Sequence, residues 1–223
     1  MTPRTDPAAV LWDFDGTLVD TETYWMAAER ELVGEYGGTW TDEQGLQLVG
    51  NDLLVSGRMI IDQTGIPLTP AQVVDRLIDG VVAHIRDRIP WRPGARELLA
   101  DLRAHGVPCG LVTMSYPRFI APVLEALPDD TFACVVTGDQ VAAGKPDPEA
   151  YVRAADLVGS EPADCVAIED SLPGARSAAA AGCRVLVVPA HVPVPDDAAW
   201  TLLEALPQDL AALTGAVGVS PAR

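Results

Sequence analysis

The chain has 223 residues, 48% of them hydrophobic and 21% charged, enough apolar material for one large core or a core with a smaller lobe. Its formal charge of -17 argues against a nucleic-acid or anionic-membrane partner, because both require a positive surface. No apolar run reaches the length of about 18 residues needed to cross a bilayer.

Met1 to Pro7 carry neither the basic nor the apolar region of a signal peptide, which predicts a cytoplasmic protein. Val10 to Asp20 then read Val-Leu-Trp-Asp-Phe-Asp-Gly-Thr-Leu-Val-Asp, an apolar strand running into two carboxylates one residue apart and a glycine. Side chains in extended backbone repeat every second residue, so Asp13 and Asp15 leave the strand end on the same side. Two adjacent acids repel each other and are costly to bury unless a cation or a shared proton compensates. A calcium loop does not account for them: it needs glycine at the sixth position and a bidentate glutamate at the twelfth, and here Gly16 comes fourth.

Residues 21 to 89 show helical periodicity and almost no strand signal. Val74, Leu77, Ile78, Val81, Val82 and Ile85 form the cleanest stripe, and Gly37-Gly38, Gly65, Pro67 and Pro70 divide the stretch into several helices. Tyr24, Trp25 and Trp40 read as core of that lobe rather than as a substrate pocket, since aromatic residues dominate small helical cores.

From Arg92 helices and strands alternate. Ala95, Leu98, Leu99 and Leu102 stripe a helix that Gly106 stops, and Val107 to Thr113 is a short buried strand. Ile120, Val123, Leu124 and Leu127 stripe the next helix, before a strand at Phe132 to Val136. Tyr151, Ala154, Ala155 and Val158 stripe another, before a strand at Cys165 to Ile168, and Ala175 to Ala181 with Arg184 to Val188 close the series. Pro189 to Pro195 read as a surface loop, Ala198 to Leu206 as a last helix, and residues beyond Thr214 have little reason to be ordered.

Such alternation predicts an α/β protein, a doubly wound parallel sheet interrupted after its first strand by an inserted all-helical lobe. The expected division is 1–19 with 91–223 for the sheet domain and 20–90 for the lobe, with hinges near Val19 to Glu22 and Trp91 to Gly94. Ligands of such sheets bind outside the carboxyl ends of the strands. Asp13, Asp15, Thr113, Glu169 and Asp170 stand at those ends, with Lys145 on the loop after the strand ending near Val136.

Fourteen of the fifteen basic residues are arginine, so Lys145 is the sole lysine, and a compact ammonium is not equivalent to arginine's planar fork in a tight phosphate site. Cys109, Cys134, Cys165 and Cys183 stand far apart, without metal or redox spacing, and read as buried free thiols. His84, His105 and His191 likewise lack metal or triad spacing. Gly138 to Lys145 is not a nucleotide-binding P-loop, because five residues separate Gly138 from Gly144 where that motif has four, and Pro146 replaces its hydroxyl residue. No G-x-S-x-G occurs to supply a serine nucleophile.

A nucleophile, a cation and anion-binding donors at one sheet edge are the parts of a phosphoryl-transfer site. Nearly the whole chain resembles the haloacid dehalogenase superfamily, in particular its β-phosphoglucomutase-like phosphatases with a helical cap. Asp13-Phe14-Asp15-Gly16-Thr17 fits the first motif, Leu111-Val112-Thr113 the second, Gly144-Lys145-Pro146-Asp147-Pro148 the third and Ile168-Glu169-Asp170-Ser171 the fourth.

The resemblance implies a Rossmann-like catalytic core, a helical cap at 20–90, and a magnesium-dependent phosphatase acting on a small phosphorylated metabolite, such as a sugar phosphate. It implies that Asp13, the backbone carbonyl of Asp15, and Asp170 hold Mg2+, with Glu169 an outer or water-mediated partner. Asp13 would attack phosphorus and become an aspartyl phosphate, and Lys145 would bridge phosphate and nucleophile. Asp15 would serve as general acid and then general base. Its presence turns the reading away from the superfamily's dehalogenases and ion-pumping ATPases, which lack aspartate there. Thr113 and the backbone amide of Met114 would bind phosphoryl oxygens. Two alternatives share the site: a phosphohexomutase, and a non-catalytic phosphate-binding protein. Mutases and several sugar-phosphate phosphatases of this group carry an arginine shortly after a glycine at the point matched by Val49-Gly50-Asn51-Asp52, where this chain has neutral and acidic residues, although Arg58 stands nearby.

Overall fold

A strand covered on both faces needs an unbroken apolar run, and Ala9–Trp12 (β1), with all four residues buried, meets that need in the computed structural model, which describes residues 6–48 and 53–217. The chain divides into two compact units, with boundaries between Asp20 and Thr21 and between Pro90 and Trp91.

The unit between those boundaries contains α1 (Glu22–Glu35), α2 (Asp42–Leu46), α3 (Leu53–Thr64) and α4 (Pro70–Asp87). Thr69 and Gln72 form a reciprocal capping box that starts α4, with Pro70 in its first turn where a missing N–H costs nothing. Its buried stripe is Val73, Val74, Leu77, Ile78, Val81 and Ile85, so Val73 takes the place expected for Val82, which is only half-buried. Close packing sets this unit's small residues: a Cβ at Gly80 would stand 3.0 Å from that of Ala28 in α1, and one at Gly57 2.8 Å from the Pro70 carbonyl oxygen.

The other unit adds α5 (Ala95–Ala104), β2 (Cys109–Val112), α6 (Pro117–Glu125), β3 (Cys134–Val136), α7 (Glu149–Leu157), β4 (Cys165–Glu169), α8 (Leu172–Ala181), β5 (Arg184–Val187), β6 (Trp200–Leu202) and α9 (Leu210–Val217). Its strands form a wholly parallel sheet in the order β3-β2-β1-β4-β5-β6. The chain builds outward from β1 to β2 and β3, then resumes on the other side of β1 with β4, β5 and β6. That reversal creates a switch point at β1, where α/β sheets open a crevice at their carboxyl ends. Trp12 is level with Leu111 of β2 and Ile168 of β4, so the next residues along, Asp13, Val112 and Glu169, arrive at one edge together. Alanines of α7 and α8, among them Ala154, Ala155, Ala175 and Ala178, let those helices settle closely on Leu11, Val112 and Ala167.

The C-terminal part corrects two expectations. Ala198 to Leu206 is not a helix: Trp200–Leu202 pairs in parallel with β5, and Leu203 N–H donates to the Val187 carbonyl at 2.8 Å. The alanines, leucines and glutamate there have helical propensity, but the outer edge of β5 offers unpaired backbone groups that a strand satisfies. Helix α9 also runs to Val217, past Thr214, burying Leu210, Leu213 and Thr214 and receiving a cap from Asp101 of α5, whose Oδ2 accepts Leu210 N–H at 2.8 Å, while residues 218–223 lie outside those described. Among the described residues no helix is long and apolar enough to cross a membrane.

Candidate active site

Four loops at the carboxyl edge of the sheet carry the polar residues. Asp13 continues the ladder past β1, its N–H donating to the Ile168 carbonyl at 3.0 Å, and its side chain is buried. Gly16 then turns the chain with φ +87, and a Cβ there would stand 2.0 Å from Asp170 Oδ2. Only glycine meets both conditions. Glu169 ends β4 with no exposed surface. Ser171 caps α8, accepting Gly174 N–H at 3.3 Å, and a Cβ on Gly174 would lie 2.0 Å from the Glu169 carboxylate. The first turn of α8 is therefore shaped around that acid.

Lys145 comes in from the loop before α7, its side chain 8% exposed, and finds an acceptor for each of its three protons. Its Nζ donates to Asp13 Oδ1 at 2.6 Å, to Glu169 Oε1 at 2.6 Å and to the Val112 carbonyl at 3.1 Å. Glu169 is equally occupied: Oε1 also accepts the Tyr151 hydroxyl at 2.6 Å, and Oε2 accepts Asp170 N–H and the Ser171 hydroxyl, each at 3.3 Å. Tyr151 lies in the buried face of α7, with its ring centroid 5.3 Å from Nζ. Four donors thus compensate a carboxylate withdrawn wholly from water.

Negative charge still exceeds positive. Burial, reinforced by Glu169, raises the Asp13 carboxyl well above its ordinary range, and burial followed by Asp13 and Glu169 does the same to Asp170. Burial by itself would lower the Lys145 ammonium, but Asp13 and Glu169 outweigh it and hold it protonated. Asp13 Oδ2 is buried without a hydrogen-bond partner. Asp13, Glu169 and Asp170 each offer an oxygen within 4.8 Å of the others'. An orphaned carboxylate oxygen beside two more acids is a donor set that fits a hard cation such as magnesium.

The turn after β2 holds the remaining groups. Thr113 N–H donates to the Val136 carbonyl at 2.9 Å, and Thr113 Oγ1 accepts Ser115 N–H at 3.0 Å. Ser115 Oγ in turn donates to Asp15 Oδ2 at 2.8 Å. Met114 sits against the two glycines that superficially suggested a P-loop: a Cβ on Gly138 would be 2.5 Å from its carbonyl oxygen, and one on Gly144 2.9 Å from its Sδ. Those glycines let the Lys145 loop approach the Thr113 turn.

Asp13, Lys145, Glu169 and Asp170 are thus brought into one cluster, and the Thr113–Ser115 turn reaches Asp15 beside it. Val49 to Asp52 lie outside the described residues, and Arg58 is exposed on α3. Trp40 is core, its Nε1 donating to the buried Glu29 at 2.9 Å, while Tyr24 and Trp25 are half-buried. Two contributors escape a reading of the sequence. Tyr151 passes for one more apolar stripe position, although a buried tyrosine hydroxyl demands an acceptor. Ser115, two residues past Thr113, is a common turn residue until its partner a hundred positions earlier is seen. The cysteines are free thiols as expected, three buried and Cys134 half-buried.

Known proteins resemble this chain in both sequence and fold. The crystal structure of CbbY from Rhodobacter sphaeroides in complex with phosphate superposes with a TM-score of 0.79 at 27% identity, covering 93% of this chain and 99% of that one. Hexitol phosphatase B of Escherichia coli strain K12 is 31% identical over 196 residues, 85% of this chain and 86% of that protein. The bifunctional riboflavin kinase/FMN phosphatase of Arabidopsis thaliana is 32% identical over 184 residues, which make up 82% of this chain but only 48% of that protein. The chain therefore spans about half the length of that relative. Residues 7–182 match the haloacid dehalogenase-like hydrolases, and it is to this family that the chain belongs.

Proposed function

We propose that this hydrolase is a magnesium-dependent phosphatase that removes phosphate from a small phosphorylated metabolite, a sugar or polyol phosphate, through an aspartyl-phosphate intermediate. The observation that carries the reading is the Asp13 carboxylate, held on one oxygen by Lys145 and orphaned on the other at the switch point of the sheet. Hexitol phosphatase B, similar over most of both chains, supports the substrate class.

Asp13, the backbone carbonyl of Asp15, and Asp170 would hold the cation. It supplies positive charge where an anionic ester meets an anionic nucleophile. Glu169, with four donors already on it, anchors Lys145 and stands outside the direct ligand set. Asp13 then attacks phosphorus in line, and Asp15 protonates the departing oxygen before taking a proton from the attacking water. Thr113 and the Met114 amide receive phosphoryl oxygens. The 3.1 Å contact of Lys145 with Val112 is the longest of its three, and it is the one a phosphoryl oxygen displaces, so that Lys145 bridges nucleophile and phosphate. The helical unit, inserted between the first strand and the rest of the sheet, serves as the cap that selects substrate.

The test is release of inorganic phosphate from a panel of hexitol, hexose and pentulose phosphates, phosphoglycolate, FMN and nucleoside monophosphates, each with magnesium and with a chelator. Turnover of a sugar or polyol phosphate that stops on chelation and returns with magnesium is expected. Release that ignores chelation, or none from any ester, contradicts the reading.

A further inference from the structure

We propose that Glu149 is a positioning residue for Lys145, bracing the loop that delivers the ammonium to Asp13. The inference rests on the phosphatase reading above and assigns to that reaction a residue outside the cluster.

The loop that carries Lys145 has little packing to hold it in place. Ala142, Ala143 and Gly144 are exposed and bring almost no side chain, and Pro146 and Pro148 have no N–H to give. A lysine stem is a flexible four-carbon chain, so it does not fix its own ammonium. For Nζ to meet three acceptors at once, the backbone on either side of Lys145 must be anchored.

Glu149 supplies the anchor before Lys145. Both of its carboxylate oxygens accept Ala142 N–H, each at 3.0 Å, and Oε2 also accepts Ala143 N–H at 3.0 Å. These charge-assisted bonds from Ala142 and Ala143 hold the Glu149 carboxyl below its ordinary range. After Lys145 the chain is tied again: Ser177 Oγ of α8 donates to the Asp147 carbonyl at 2.6 Å, and Asp147 Oδ1 accepts Glu149 N–H at 3.0 Å. Lys145 is thus strung between two fixed points, and Glu149 takes part in both. Its own footing is firm, because it opens α7 and the next two residues, Ala150 and Tyr151, are fully buried. An acid in a first turn also suits the helix dipole, but that role asks only for a nearby negative charge and not for two N–H groups of the preceding loop on one carboxylate.

The sole lysine makes the test direct, since 13C-lysine labelling gives one ε-methylene signal, that of Lys145. A stem held in one orientation shows two distinct Hε shifts, whereas a stem that swings averages them. With magnesium present, the wild-type chain is expected to show two shifts and Glu149→Ala a single averaged one. Glu149→Ala is also expected to lower kcat/KM roughly tenfold on the ester the wild type hydrolyses best, the scale of one lost charge-assisted hydrogen bond. Glu149→Gln keeps the shape of the side chain but sets an amino group against Ala142 N–H, so it should move both readouts the same way, and it carries the test if Glu149→Ala does not fold. Variants that melt at a lower temperature yet keep both Hε shifts would make Glu149 merely structural, and unchanged kcat/KM would make the brace irrelevant to turnover. A wild-type Lys145 that already shows one averaged shift would mean there is no held ammonium to position. Each of these three results overturns the inference and leaves the phosphatase reading intact. A wild-type chain that hydrolyses no ester removes that reading, and with it the role of Glu149 in the reaction, whatever the Hε shifts show.

Discussion

At the scale of single residues, the site turns on the one lysine. Its three protons meet acceptors at three fixed points, two carboxylate oxygens at 2.6 Å and a backbone carbonyl at 3.1 Å, in a pocket that leaves it 8% exposed. A guanidinium is planar, wider, and donates in a fixed fork, so it cannot occupy the point where these acceptors converge without displacing Asp13 or Glu169. Lys145→Arg is expected to lower kcat by about a hundredfold, the scale of a nucleophile moved by about an ångström. Steady-state kinetics with an unchanged kcat would make the lone lysine a compositional accident. Residues such as Asp13 and Lys145 are legible in sequence because no packing role explains a paired acid at a strand end or a solitary lysine. Tyr151 and Ser115 are not, since serine in a turn and tyrosine on a helix stripe are ordinary, and their partners stand 18 and 100 positions away.

Among the elements, the helical unit carries a buried acid of its own. Glu29 of α1 is 5% exposed and accepts a hydrogen bond from Trp40 Nε1, yet burial pushes its carboxyl up to about 7, with the Trp40 bond only partly opposing that rise. The folded state then binds a proton that the unfolded chain has already released, so stability from this group is complete at low pH and falls as pH rises through about 7. Glu29→Gln keeps an acceptor for Trp40 without the charge. Its stabilising effect over wild type is expected to grow by about 2 kcal/mol between pH 5 and pH 8. Denaturant unfolding at the two pH values checks this, and an effect independent of pH would contradict it. Elements whose periodicity agrees with their burial, such as α4 and α5, are readable from sequence. The segment at Trp200–Leu202 is not, because its strand state comes from the open edge of β5 and not from its own composition.

For the whole molecule, strand order explains why motifs scattered along the chain converge. The chain winds outward from β1 to β3 and resumes on the other side with β4, so β1 is flanked by β2 and β4, and the ends of three strands and one loop present Asp13, Thr113, Glu169 and Lys145 at a single edge. The alternation of helix and strand makes that convergence legible before any coordinate is known, whereas the hydrogen bonds that orient each group are not. The central claim is that Asp13 becomes phosphorylated during turnover. Acid quenching of the enzyme as it consumes a sugar phosphate with magnesium, followed by peptide mass spectrometry, tests it most directly. The account expects one added phosphoryl group on the peptide containing Asp13, absent when magnesium is chelated and absent, together with turnover, in Asp13→Asn. Continued phosphate release by Asp13→Asn, or a phosphoryl group trapped on another residue, would contradict it.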